Sequence, residues 1–125
     1  MHVHIGPYND SGYTINHVKI EEFDTWNMDV TLSHIIVPML EQFIKNCKSC
    51  AHIDLNDIPG VDPNIKSQDY ETEFKHWQYV LGEMLFAFKF VRDEDSFSTT
   101  SNKSLEARVN NGLRLFGKYY RYLWD

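Results

Sequence analysis

Tyr70-Glu71-Thr72-Glu73-Phe74-Lys75-His76-Trp77-Gln78-Tyr79-Val80-Leu81-Gly82-Glu83-Met84-Leu85-Phe86-Ala87-Phe88-Lys89-Phe90-Val91 decides the fold. Tyr70, Phe74, Trp77, Leu81, Met84, Leu85 and Phe88 recur every three or four residues, the period of one helical face, and predict a helix over 70–91. Val80, Phe86, Ala87 and Phe90 place apolar groups on other faces, so this helix is central to the domain or shared with a partner. Homo-oligomerisation follows as an expectation. The run from Val80 to Val91 is broken by Gly82, Glu83 and Lys89 and is too short to span a bilayer, so no membrane association is expected.

Upstream, Leu32, Ile35, Ile36, Met39, Leu40, Phe43 and Ile44 repeat the pattern and predict a helix over 29–46, with Asn27 or Asp29 as its cap and a kink at Pro38. Downstream, Leu105, Val109, Leu113, Phe116, Tyr120 and Leu123 predict the core face of a helix over 104–124, capped by Ser104. Residues 46–69 break all periodicity with Asn46, Asn56, Pro59, Gly60, Pro63 and Asn64. A connector of that length in a small domain suggests an interface or functional role. Arg92 to Ser104 is polar and predicts a mobile surface loop.

At the N-terminus, extended segments His2–Tyr8 and Tyr13–Ile20 flank the turn cluster Asn9-Asp10-Ser11-Gly12, a hairpin pattern. A lone hairpin is marginal in water, so it is expected to pack on the helices or pair with another subunit. The expected class is α+β, mainly α: one domain over 1–125, with a β-hairpin (1–20) packed on a three-helix core.

The chain has 125 residues, 42% hydrophobic and 14% aromatic, which suits one globular core. A net charge of -6 argues against coating nucleic acid by bulk electrostatics. Met1-His2-Val3-His4-Ile5-Gly6-Pro7 lacks the apolar core of a signal peptide, and two cysteines make no disulfide framework, so a reduced intracellular setting is expected.

The chemistry concentrates in the third helix. Arg114, Gly117 and Arg121 share one stripe, and Arg108, Asn111, Lys118 and Tyr122 share the next. Four cations face only Glu106 and Asp125 within that segment. Guanidinium forks suit phosphate or carboxylate, and a tyrosine ring can stack on a base. Gly117 would allow a ligand or backbone to approach closely. The candidate ligand site is therefore Arg108, Asn111, Arg114, Lys118, Tyr119 and Arg121, with Trp26 or Tyr119 stacking. The competing reading, common for a helix-end cationic face, is that these groups pair with the chain's own acids or offset the helix dipole.

Other patterns are weaker. Cys47-Lys48-Ser49-Cys50-Ala51-His52 offers three zinc donors where a structural site needs four, so ordinary thiols are the expectation. Glu73, His76 and Glu83 share an outer helical face, but a di-metal site needs matching acids on other helices, which offer only Glu41 and Glu106. His2 and His4 form a terminal pair, and Asp54, Asp57 and Asp62 lack the calcium-loop pattern. No nucleophile elbow, P-loop or dinucleotide fingerprint is present. No catalytic residue, metal or cofactor is expected, and the question of enzyme activity stays open, with a non-enzyme the favoured reading.

Three blocks together are distinctive: Asp24-Thr25-Trp26-Asn27-Met28-Asp29 continuing to Thr31-Leu32 and Ile36-Val37-Pro38-Met39-Leu40; Trp77-Gln78-Tyr79-Val80-Leu81 with Glu83-Met84 and Phe88; and Asn111-Gly112-Leu113-Arg114-Leu115-Phe116-Gly117-Lys118-Tyr119-Tyr120 ending at Leu123-Trp124. In this order, from about residue 13 onward, the chain resembles a family of uncharacterised tailed-bacteriophage proteins. It departs at Cys50-Ala51-His52, where relatives more often carry His-Gly-Ser/Ala-Pro, and at Gly82, where many have an acid. The resemblance implies a phage accessory protein made in the host cytoplasm and transfers no activity. The expected function is an anti-defence protein that sequesters a host nucleotide-derived signal. The alternatives are an inhibitor binding a host protein, and a metal-dependent nucleotide hydrolase using Glu73, His76 and Glu83.

Overall fold

The computed structural model describes residues 2–5, 15–65, 68–93 and 102–125, with side chains from Val18 onward. Three helices dominate: α1 (Met28–Asn46), α2 (Tyr70–Asp93) and α3 (Lys103–Tyr119), the last tightening into a 3-10 turn over Tyr120–Tyr122. The fold is mainly α, as the periodicities predict. Asn27 takes the N-cap place of α1 without a side-chain hydrogen bond. α3 is capped by Asn102, whose side chain accepts from the Leu105 amide at 3.1 Å, and not by Ser104. Asn102 has the extended backbone a cap requires, whereas Ser104 is already helical.

α2 is the central helix. It packs densely against both α1 and α3 and buries Trp77, Val80, Leu81, Met84, Ala87 and Phe88. Its apolar character on several faces is thereby used within one chain. Edge-to-face ring pairs fasten it to α3: Phe88 on Phe116 at 4.8 Å between centroids, and Trp77 on Tyr119 at 5.9 Å.

The flanking helices are rotated from the expected stripes. α1 turns Ser33, Val37 and Leu40 inward and leaves Leu32 and Met39 exposed. Ser33 is tolerated there because its hydroxyl donates to the Asp29 carbonyl oxygen at 2.7 Å. α3 buries Val109, Gly112, Leu115 and Tyr119, while Leu113 and Tyr120 face out. The cause is Gly112. A Cβ at that position would lie 2.4 Å from the Glu83 carbonyl oxygen and 2.6 Å from the Ala87 Cβ, so only glycine lets α3 sit this close on α2. At Gly117, expected to serve close approach, an added Cβ would meet no other group of the described residues within 4 Å. Exposed Met39 and Tyr120 join Leu40 and the core-packed Ile36, Phe43, Phe116 and Leu123 to line a groove of about 560 Å³.

The N-terminal expectation needs correction. His2–Ile5 (β1) and Ile15–Lys19 (β2) run antiparallel, with Val3 opposite Val18 and His4 opposite His17. Their dense contacts are with each other, and no dense contact joins them to a helix, so the structure does not show a hairpin packed on the core. The three helices bury one another instead, and Val18 and Ile20 remain exposed. The turn cluster 9–12 and most of the expected 92–104 loop lie outside the described residues. Among those described, no helix is long and apolar enough to cross a membrane.

Candidate functional site

The connector positions the polar site. Cys47, Ala51, Ile53 and Ile58 are buried in the helical core, which anchors the chain between α1 and α2. Between Ile53 and Ile58 it forms a 3-10 turn, Leu55–Asp57, whose cap Asp54 accepts from the Asn56 amide at 3.0 Å. This turn presents Asp54 and Asp57 to the polar face of α3.

Asp57 is the hub. Its side chain is 5% exposed and accepts from Arg114 Nη2 at 2.8 Å, Lys118 Nζ at 2.7 Å and the Tyr119 hydroxyl at 2.8 Å. Asp54 accepts from Lys118 at 2.9 Å, and its amide donates to the Tyr119 hydroxyl at 3.0 Å. Asn111 Oδ1 accepts from Arg114 Nε at 3.1 Å and Nη2 at 2.8 Å, fixing the guanidinium. One turn of helix earlier in the chain, Arg108 reaches Glu83 on α2 at 2.9 Å and lies 3.6 Å over the Phe86 ring.

Arg108, Asn111, Arg114, Lys118 and Tyr119 are thus engaged with the chain's own groups, the competing reading of the α3 face. Tyr119 is 3% exposed, its ring against Trp77, so it has no face to offer a base. Arg121 forms no ion pair among the described residues and lines an open cleft with Gly117, Lys118 and Tyr122. Trp26 lies elsewhere, 75% exposed beside a 3-10 turn (Glu22–Thr25) that packs on the start of α1.

The charge states follow from these contacts. Burial pushes the Asp57 carboxyl up, but its bonds from Lys118, Tyr119 and Arg114 outweigh that and hold it below the usual carboxylate range. Asp54 is lowered to about 2, first by Lys118 and then by the Asn56 amide. Lys118 is raised to about 12 by Asp57 and Asp54. Tyr119 is raised to about 12, by burial and then by its bond to Asp57. A lysine held as ammonium is neither base nor nucleophile, and carboxylates this acidic carry no proton to donate at neutral pH. The arrangement fits a latch holding the connector on α3.

A pH dependence follows. Asp54 and Asp57 are depressed, so their contribution is present above about 4 and is lost as pH falls through their lowered range, which for Asp54 lies at about 2. Tyr119 and Lys118 are raised, so their contribution is present below about 10 and is lost as pH rises through 12. Thermal melts across pH should fall away at both ends, and Tyr119→Phe should blunt the alkaline fall. An alkaline limb unchanged in that variant would contradict the assignment to Tyr119.

The remaining candidates are separated. Glu73 lies 3.9 Å from His52 Nδ1, and Glu83 is taken by Arg108 and by the Tyr79 hydroxyl at 3.3 Å. His76 Nδ1 is buried without a hydrogen-bond partner among the described residues. Among the described residues, no three His, Cys, Asp or Glu side chains converge as metal ligands do. Burial pushes both thiols up, with nearby Asp125 adding to the effect at Cys47 and Glu73 at Cys50; Cys47 Sγ accepts from Gln78 at 3.3 Å.

Sequence reasoning missed Asp54 and Asp57 as partners because it tested them only against a calcium loop. The signal was there: two acids three residues apart in a long connector, opposite a helix with an excess of cations. It also missed the exposed Phe23 beside Trp26. No protein-family model, curated protein or solved structure matches the chain.

Proposed function

We propose that the chain is a phage accessory protein that acts in the host cytoplasm by binding a host protein, without catalysis of its own. One observation carries this reading: Phe23 is 57% and Trp26 75% exposed on a hydrogen-bonded turn, with exposed Ile20 and Met28 adjacent in sequence. Large aromatic side chains held in water cost solvation and serve best as anchors for a protein surface. The internally paired cations of α3 support it as well, because they leave little charge for an anionic ligand. The test is affinity capture from host lysate with the intact chain, identification of the partner, and titration of the purified partner. A stoichiometric complex weakened about ten-fold or more by Trp26→Ala is expected, in keeping with an aromatic anchor. Binding unaltered in a folded Trp26→Ala protein would contradict the reading.

The second reading, a homo-oligomeric anti-defence protein sequestering a nucleotide-derived signal, is favoured by Arg121 and its cleft with Gly117, Lys118 and Tyr122. A thermal-shift panel of cyclic dinucleotides and ADP-ribose derivatives tests it, and a shift lost in Arg121→Ala would support it. The metal-dependent hydrolase reading has no comparable support, since Glu83 is already ion-paired and Glu73 lies beside His52.

A further inference from the structure

The segment from Ile20 to Ser33 contains Glu21, Glu22, Asp24 and Asp29 and no Lys, Arg or His. Within it the Glu22–Thr25 turn is closed at its start: the Glu21 amide donates to the Asp24 carboxylate at 2.8 Å, and the Asp24 amide donates to the Glu21 carbonyl at 3.0 Å. The Trp26 amide donates to the Phe23 carbonyl at 3.2 Å. In a 3-10 turn, residues three apart eclipse one another, so Phe23 and Trp26 rise on the same side. Asp24, within the turn, is buried. The backbone that carries the two aromatic side chains is therefore set before binding, which lowers the ordering cost of the turn itself.

Two features of this knob select its partner. Its apolar faces require an apolar counter-surface. Its acidic surroundings favour cations at the rim, and an exposed indole face attracts Lys or Arg directly. Lys19 offsets the charge of Glu21 through their pair at 3.3 Å, and Asp24 is buried, so exposed Glu22 and Asp29 are the acids offered to a partner. We propose that the Phe23–Trp26 turn binds a basic amphipathic segment of a partner protein, with Phe23 and Trp26 in its apolar face and its Lys or Arg groups on Glu22, Asp29 and the Trp26 ring. This deepens, and rests on, the protein-binding reading.

The test titrates the full chain with dye-labelled helical peptides built from Leu and Lys in amphipathic order. One control carries Glu in place of every Lys, and another carries Ser in place of every Leu. The Leu–Lys peptide is expected to bind about ten-fold more tightly than either control and to lose about ten-fold on Phe23→Ala or Trp26→Ala. Met39→Ser, in the α1–α3 groove, should leave it unchanged. Circular dichroism establishes that each variant is folded. Equal binding of the Glu-bearing peptide, binding indifferent to both aromatic substitutions, or binding abolished by Met39→Ser would each overturn the proposal. No binding by the Leu–Lys peptide would overturn it too. If lysate capture still yields a Trp26-dependent partner, the basic chemistry fails while the protein-binding reading stands. If no captured partner depends on Trp26, that reading fails with it.

Discussion

Gly112→Ala is expected to destabilise the protein by about 1–3 kcal/mol, although alanine is the better helix former by about 1 kcal/mol. The added methyl would meet the Glu83 carbonyl oxygen at 2.4 Å and the Ala87 Cβ at 2.6 Å. Backbone cannot swing aside as a long side chain can, so α3 must lift off α2. That would loosen the Phe88–Phe116 ring contact on the same interface. Gly117→Ala is the matched control: the position is exposed, on the same helix, and the added methyl would meet no other group of the described residues within 4 Å. There the propensity gain acts alone and should raise stability by about 0.5–1 kcal/mol. Denaturant melts of the two variants decide the matter. Opposite shifts support the close helix contact, and equal shifts would contradict it.

Asp57→Ala is expected to cost about 2–3 kcal/mol in the same assay, near the lower end for breaking a buried ionic network. The loss is not shared evenly among its partners. Arg114 and Lys118 are partly exposed and can turn to water, which discounts their share. The Tyr119 hydroxyl is buried against Trp77 and cannot, so it forfeits its acceptor outright. Asp54→Ala, at the exposed end of the network, should cost clearly less. Equal losses from the two substitutions would mean that burial is not what sets the strength of the latch.

The three helices were legible because their apolar residues recur at helical spacing over long runs, and α2 shows this most fully. Which face of α1 and α3 turns inward was not legible. Leu32, Met39, Leu113 and Tyr120 are as apolar as the residues actually buried, and on α3 the choice between faces is made by backbone proximity at Gly112. That proximity depends on where Glu83 and Ala87 fall on another helix. The cations of α3 were legible as a cluster. Their pairing was not, because Asp57 is 57 residues from Arg114 in sequence and 61 from Lys118. Trp26 was read as a stacking group for a site on α3. The structure keeps it exposed but at the foot of α1, so its use passes from a ligand pocket to a docking turn.

The polar face of α3 serves as a latch for the connector, which leaves contact with other molecules to the Phe23–Trp26 turn. Amide hydrogen exchange on a protein carrying both Arg114→Ala and Lys118→Ala tests this most directly. Protection should fall across residues 53–58 while the amides of α2 from Trp77 to Phe88 stay protected. Unchanged protection in the connector, together with stabilisation of the unsubstituted chain by a nucleotide that the double variant fails to bind, would contradict it.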